Sequence, residues 1–230
     1  MLPRRRDGLR RLVVGAAVFG VALTASCNTA KLLAPPPPLR AASASASAID
    51  IEFAESLDRG SAQDPSRYLA YPTGNAGAPV AILQATVIDT LYGRVVRLIV
   101  SDPVAGFLPD SADFTVQTSG LLTVTGRSTG FRSVDFRTGL NYDALLQDLF
   151  ARHCNSCHGS TRVEGSYRTD SYLALQGGGT NSVPNLIAGD PNCLLVVKTK
   201  PRNSMFDRGN LTFLDSEMIH NWVASYQARQ

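Results

Sequence analysis

The chain has few of the residues that bind metals. Its 230 residues include three histidines, four cysteines and three methionines. A structural zinc site needs four donors, usually from two closely spaced pairs. Cys154 and Cys157 form one such pair, but Cys27 and Cys193 each stand alone. The cysteine pattern therefore argues against zinc.

The sequence also lacks an apolar run long enough to cross a membrane. The run at 12–25 is shorter than the roughly 20 residues that a spanning helix needs, and no other segment is a candidate. Because five arginines precede this run, residues 1–27 are predicted to be a signal peptide. Cys27 follows Ala25-Ser26 and resembles the lipidated cysteine of bacterial lipoproteins, although Thr24 stands where leucine is usual. We expect a lipid anchor at Cys27, with ordinary signal-peptide cleavage as the alternative.

No excess of positive charge remains outside the signal peptide. Residues 1–27 contain five of the 22 basic residues and one of the 19 acidic residues, so the rest of the chain has 17 basic and 18 acidic side chains. A nucleic-acid-binding protein would carry a basic surface. The composition therefore predicts no nucleic-acid partner.

The region before residue 139 divides into a tether and a β-rich part. Residues 28–48 are rich in proline, alanine and serine, a composition typical of an extended linker. Residues 49–138 contain short runs of valine, isoleucine, threonine and phenylalanine between turn residues. This pattern predicts a small all-β antiparallel region, a sandwich loosely similar to bacterial Ig-like modules. None of its polar residues has catalytic spacing, so we expect a spacer or docking module.

The most specific motif is Cys154-Asn155-Ser156-Cys157-His158. Two cysteines two residues apart, followed directly by a histidine, form the attachment signature of a c-type haem. Both sulfurs can form thioethers with one edge of the porphyrin, and the histidine can bind the iron. The motif predicts one haem c per chain, attached to Cys154 and Cys157, with His158 as the proximal iron ligand.

A redox-active dithiol is the main alternative for this motif. Such a site would follow a buried strand. Here the approach has helical periodicity instead: Asn141 suits an N-cap, and Tyr142, Leu145, Leu149 and Phe150 recur on one face. The pattern therefore favours the haem.

The second iron ligand must come from the few remaining methionines and histidines. Met218 lies on the apolar stripe of a predicted C-terminal helix and His220 lies off that stripe, so core and solvent positions are expected for them. His153 is expected to be exposed or bonded to the backbone. Met205 lies in a predicted loop, where a methionine has little reason to pack. It is the expected distal ligand.

Residues from about 142 to 226 resemble a class I c-type cytochrome, and in particular the short planctomycete-type cytochrome c domains. The matching positions are Leu149, Phe150, Cys154, Cys157, His158, Gly159, Tyr172 to Leu175, Gly189 to Pro191, Leu194, Leu195, Met205, Leu211, Thr212, Ile219 and Trp222. The resemblance implies an all-α cytochrome c domain over residues 139–230, after the all-β region. Two positions depart from the family: Phe206 stands where proline usually follows the methionine, and Cys193 stands where serine is common. Phe206 predicts a less rigid loop, and Cys193 is expected to be a small buried residue.

These features predict an exported electron carrier. A haem with histidine and methionine on the iron has no open coordination site but can pass single electrons. Redox proteins are the expected partners, and a basic rim could steer an acidic one; the residues of this rim are Lys198, Lys200, Arg202 and Arg208. The expected location is the periplasm or cell envelope, with the lipid anchor in the outer membrane. A haem enzyme or ligand sensor, and an adhesion or scaffold protein with an accessory haem, are the alternatives.

Overall fold

The computed structural model describes residues 38–88, 92–101, 108–181 and 184–230. The predicted signal peptide, Cys27 and residues 28–37 of the predicted tether lie outside these ranges. Within the described residues, no helix combines the length and the apolar character that a membrane crossing requires.

The described residues contain seven strands, seven α-helices and three further helical turns of 3-10 or π type. The strands are β1 (Pro38–Ser45), β2 (Ala48–Phe53), β3 (Tyr68–Pro72), β4 (Ala81–Val87), β5 (Val95–Ser101), β6 (Asp113–Thr118) and β7 (Arg132–Arg137). The α-helices are α1 (Arg59–Ala62), α2 (Gln147–His153), α3 (Asn155–His158), α4 (Tyr172–Leu175), α5 (Leu194–Thr199), α6 (Ser204–Arg208) and α7 (Phe213–Ala224). Turns of 3-10 or π type lie at Pro65–Arg67, Tyr142–Leu146 and Glu164–Ser166.

The strands form two antiparallel sheets. In the described residues, one sheet has the order β1-β2-β5-β4 and the other has the order β3-β6-β7. This is the strand order of constant-type immunoglobulin sandwiches. The sheets share one hydrophobic core, to which β2 contributes Ile49, Ile51 and Phe53 and β6 contributes Phe114 and Val116. Alternate residues of each strand supply this core because successive side chains point to opposite faces.

The outer face of the four-stranded sheet is also covered. All six residues of β2 are buried, although Asp50 and Glu52 alternate with its apolar residues. The side-chain amide of Asn221 on α7 donates a hydrogen bond to the carboxylate of Asp50 at 3.3 Å. Glu52 accepts a hydrogen bond from the backbone N–H of Phe213 at 3.1 Å. Helix α7 therefore packs on the polar side of β2 and adds a third layer to the sandwich.

The chain after residue 139 forms a compact layer of short helices. Helix α7 has 12 residues, and α2 to α6 have four to seven each. Thr212 and Asp215 form the capping box at the start of α7. The core of this layer contains the fully buried side chains of Tyr142, Phe150 and Trp222. Ala42 of β1 belongs to the same core.

The predicted fold class, an all-β sandwich followed by an all-α cytochrome c domain, is wrong. The described C-terminal helices are short, and their core includes Ala42 of β1. Asp50 and Glu52 of β2 are buried and accept hydrogen bonds from residues of α7, so the helices do not form a separate all-α domain. The described residues form a mixed structure dominated by antiparallel sheets.

The predicted tether does not extend to Ala48. Residues 38–45 form β1, which pairs with β2. Ala42 and Ala44 are buried, because small side chains allow close packing at this position. A composition poor in large apolar residues suggested a linker, but the partner layers supply the apolar surface that β1 lacks.

Candidate functional site

The Cys-x-x-Cys-His motif forms a single helical turn directly after α2. The backbone N–H groups of Cys157 and His158 donate to the carbonyl of Cys154 at 3.0 and 2.8 Å. Gly159 follows, and a Cβ atom there would lie 2.5 Å from the carbonyl oxygen of Asn155. Only glycine allows the chain to leave the turn this closely. Both cysteines and the histidine are therefore held within one turn.

The imidazole of His158 is oriented by a backbone carbonyl. Its Nδ1 lies 3.2 Å from the oxygen of Tyr167. The tautomer that carries hydrogen on Nδ1 donates to this oxygen and leaves the lone pair of Nε2 free. Metal-binding histidines are commonly held in this way. Thr169 supports the arrangement because its backbone N–H donates to the carbonyl of His158 at 2.7 Å.

The four residues predicted to hold the haem line one cavity of about 300 Å³. Cys154, Cys157 and His158 lie on α3 and at its start, and Met205 reaches the same cavity from α6. The walls include Tyr167, Gly179, Leu194, Leu195 and Thr199. The cavity thus brings together two thiols one turn apart, an imidazole with a free nitrogen and a thioether, which is the donor set that a c-type haem needs.

Burial raises the pKa of the Cys154 thiol to about 12, and the nearby carboxylate of Asp215 and the thiol of Cys157 add to this effect. The thiol is therefore protonated at neutral pH. Reactive dithiol sites instead lower a cysteine pKa to favour the thiolate. The environment of Cys154 does not match that of a redox dithiol.

Met205 lies on a short helix and not in the predicted loop. Helix α6 has five residues, and the N–H of Gly209 donates to the carbonyl of Met205 at 3.0 Å. The methionine is half-buried. The next residue, Phe206, packs against the core of the helical layer.

The other residues considered as iron ligands have protein partners. Met218 is buried in the core, and its sulfur lies 3.6 Å from a guanidinium nitrogen of Arg40. Nδ1 of His153 lies 2.8 Å from the carbonyl of Gly209, in agreement with the backbone bond expected for it. His153 also lines the cavity, with Nε2 3.6 Å from Asp215.

His220 lies apart from the cavity that Cys154, Cys157, His158 and Met205 line. Its Nδ1 is 3.9 Å from a carboxylate oxygen of Glu217, and it lines a separate open groove beside β4 and β5. Among the described residues, no three histidine, cysteine, aspartate or glutamate side chains are close enough to hold a metal ion.

The four basic residues of the predicted rim divide between two surfaces. Lys198 and Arg208 are exposed and line the cavity that also contains Cys154 and Cys157. Lys200 and Arg202 line the separate groove. The rim at the cavity is therefore smaller than the sequence suggests.

Cys193 is not among the residues that line the cavity. Cys193 is buried and free, directly before α5, as expected for a small core residue. Cys27 lies outside the described residues.

Sequence reasoning did not identify Tyr167 and Gly179 as parts of the cavity wall. The carbonyl of Tyr167 orients His158, but a backbone acceptor leaves no signal in the sequence. Gly179 lies close to two neighbours, because a Cβ atom there would be 2.5 Å from the oxygen of Gly165 and 3.2 Å from Cβ of Tyr167. The run of three glycines at 177–179 was the available signal for this close approach.

No family model and no curated protein matches the chain. Three solved structures that match it are those of the surface layer protein SbsC, as domains 1–6, as the form rSbsC(31–844) and as the N-terminal part of this bacterial S-layer protein. Each is 17% identical over 46 to 48% of this chain, with TM-scores of 0.41, 0.39 and 0.40. The chain spans only 14 to 25% of those chains. Likenesses this distant carry no information about function.

Proposed function

We propose that the chain binds one haem c and transfers single electrons. Cys154 and Cys157 would form the two thioether bonds, and His158 and Met205 would be the iron ligands supplied by the protein. The observation that carries the proposal is the shared cavity: all four side chains line it, and the hydrogen bond between His158 and the Tyr167 carbonyl leaves Nε2 free.

The protein residues would contribute attachment and orientation. The thiols of Cys154 and Cys157 would hold the haem covalently, and the carbonyl of Tyr167 would orient the imidazole of His158 towards the iron. When bound, the haem iron supplies a one-electron couple, and thioether ligation favours its reduced form. We therefore expect a positive reduction potential.

The proposal includes export and a redox protein as partner. A signal peptide over residues 1–27 would send the chain to the periplasm or cell envelope, and a lipid on Cys27 would anchor it, most consistently in the outer membrane. Lys198 and Arg208, exposed at the cavity, would face an acidic partner surface. Export and the lipid anchor rest on the motifs in residues 1–27. The acidic partner surface rests on the charges of Lys198 and Arg208 beside the cavity.

The decisive experiment is to produce the full chain in a bacterium that attaches c-type haem. We expect haem that stays on the denatured polypeptide, and a pyridine haemochrome spectrum of the two-thioether type. The ferric protein should show the weak long-wavelength band of a methionine–iron bond. Changing Cys154 or Cys157 to alanine should abolish one thioether each and shift this haemochrome spectrum.

A matched pair of variants identifies the distal ligand. Met205→Leu should remove the long-wavelength band, lower the potential and allow carbon monoxide to bind the ferrous protein. Met218→Leu, the control, should keep the band because its sulfur lies in the core beside Arg40. A wild-type protein that binds carbon monoxide and lacks the band would instead indicate the haem enzyme or sensor, and a chain without covalent haem would contradict the proposal.

A further inference from the structure

The helix that carries Met205 has little to stabilise it by itself. Helix α6 has five residues, and its N-cap, Asn203, makes no side-chain capping bond. Isolated helices this short are unstable in water. The preceding residue, Arg202, has a φ of 69°, a left-handed conformation that side chains other than glycine rarely adopt. Contacts from outside α6 must therefore hold this segment.

Tyr92 supplies a contact before the helix. Its ring lies beneath the guanidinium of Arg202, with the central carbon 5.0 Å from the ring centroid. Nε of Arg202 also donates to the phenol oxygen of Tyr92. Tyr92 thus holds the guanidinium group of Arg202, the residue with the left-handed backbone conformation two positions before α6.

The same tyrosine reaches the helix itself through a second ring. Phe206, the residue after Met205, stacks on Phe213 at a centroid distance of 5.8 Å and an angle of 22°. Phe213 in turn packs against Tyr92 at 5.4 Å and 43°. Arg94 lies over the ring of Phe213, 5.2 Å from its centroid. The ring contacts therefore run from Tyr92 through Phe213 to the neighbour of Met205.

The position of Tyr92 is set by the sandwich. Tyr92 precedes Gly93 in the connection between β4 and β5, and both have positive φ angles, 58° and 66°. The hydroxyl of Ser56 donates to the carbonyl of Tyr92 at 2.6 Å, and the N–H of Leu57 donates to that of Gly93 at 2.9 Å. The turn is thus fixed to the chain that follows β2.

We infer that Tyr92 is a positioning residue for the Met205 side chain, so that the β sandwich holds the distal ligand against the haem. This inference rests on the proposed function. It gives the sandwich a role that its sequence does not reveal.

The test is the tendency of the Met205–iron bond to open. An external ligand such as imidazole binds ferric iron only when the methionine has left, so its apparent affinity reports the open fraction. Removal of the ring and cation contacts of Tyr92 should increase, by about tenfold, the fraction of molecules in which the Met205–iron bond is open. Tyr92→Ala should therefore bind imidazole about tenfold more tightly, with a weaker long-wavelength band and a lower potential.

Two control variants separate this role from general destabilisation. Tyr92→Phe keeps the ring and should behave nearly as the wild type. Phe131→Ala removes an aromatic ring that is 61% exposed at the sandwich surface, and it should leave imidazole affinity unchanged. All variants are compared well below their melting temperatures as full-length holoproteins.

The outcomes distinguish this inference from the proposed function. If Met205→Leu loses the band while Tyr92→Ala keeps wild-type imidazole affinity, the positioning role of Tyr92 is refuted and the electron-transfer proposal stands. If Met205→Leu leaves the band unchanged, the ligand assignment itself fails. A Tyr92→Ala protein that only melts at a lower temperature, with unaltered band and affinity, likewise refutes the positioning role.

Discussion

Asp50 of β2 and Arg97 of β5 form a two-point ion pair on the covered face of the four-stranded sheet. Nε and one terminal nitrogen of Arg97 donate to the two carboxylate oxygens of Asp50 at 2.8 and 2.7 Å. The same terminal nitrogen lies 3.0 Å from Glu217 of α7. The side chain of Asp50 is only 1% exposed. Through its contact with Glu217, Arg97 also joins the four-stranded sheet to α7.

Removal of Arg97 should strongly destabilise the fold. Arg97→Met would leave Asp50 buried without its cationic partner, a loss that typically costs about 3–5 kcal/mol. Urea denaturation should show this decrease in the free energy of unfolding. The double variant Arg97→Met with Asp50→Leu should recover part of it, because the buried carboxylate of Asp50 is then gone and only Glu217 has lost its contact with Arg97. A double variant no more stable than Arg97→Met would contradict the argument.

Glu52 should make stability depend on pH. Burial raises the pKa of this carboxyl above its ordinary value of 4.5, against the opposing effects of Thr212, Arg40 and Arg94. A raised folded-state pKa gives stability that is fully present below pH 4.5 and is lost as the pH rises through the folded value. Glu52→Gln should remove this loss, which has a limiting slope of about 1.4 kcal/mol per pH unit. Unfolding free energies across pH 4 to 8 check the prediction, and parallel profiles for the two proteins would contradict it.

Gly159 should tolerate no side chain. In Gly159→Ala the new Cβ would lie 2.5 Å from the carbonyl oxygen of Asn155, so the turn that carries His158 must shift. We expect a loss of about 1–3 kcal/mol in stability, together with a smaller fraction of chains that carry covalent haem. Gly77→Ala is the control, because its Cβ would meet only the side chain of Asn75 at 3.6 Å. Equal haem content in the two variants would argue against a requirement for glycine at position 159.

The charges beside the cavity should influence electron exchange with ions. Lys198→Glu should slow oxidation of the ferrous protein by the anionic hexacyanoferrate(III) ion several-fold at low salt, and added salt should reduce the difference. Lys200→Glu is the matched control, since Lys200 lines the separate groove and not the cavity beside Cys154 and Cys157. Stopped-flow absorbance measures both rates. Equal slowing by the two variants would point to net charge alone and not to a local rim.

From the sequence alone, Cys154, Cys157, His158 and Met205 could be grouped as one candidate site, and in the described residues all four line one cavity. The spacing of Cys154, Cys157 and His158 requires one turn of chain, and the described residues form that turn. Met205 could be selected over Met218 because an apolar stripe at helical spacing predicts a core position, and Met218 is indeed buried in the core. Local periodicity and motif spacing are properties of short segments, so they can be read without the fold.

The contacts between β2, β1, α7 and the β4–β5 turn became known only from the tertiary structure. The alternation of Asp50 and Glu52 in β2 is the same whether their face meets water or another polar layer, so the sequence could not reveal that α7 covers it. The small residues of β1 likewise become core only because two layers close around them. Tyr92 and Phe206 are more than a hundred positions apart in the sequence, and the packing of the β4–β5 turn against α6 and α7 brings them to either side of Phe213. Such contacts depend on long-range packing, which no local pattern encodes.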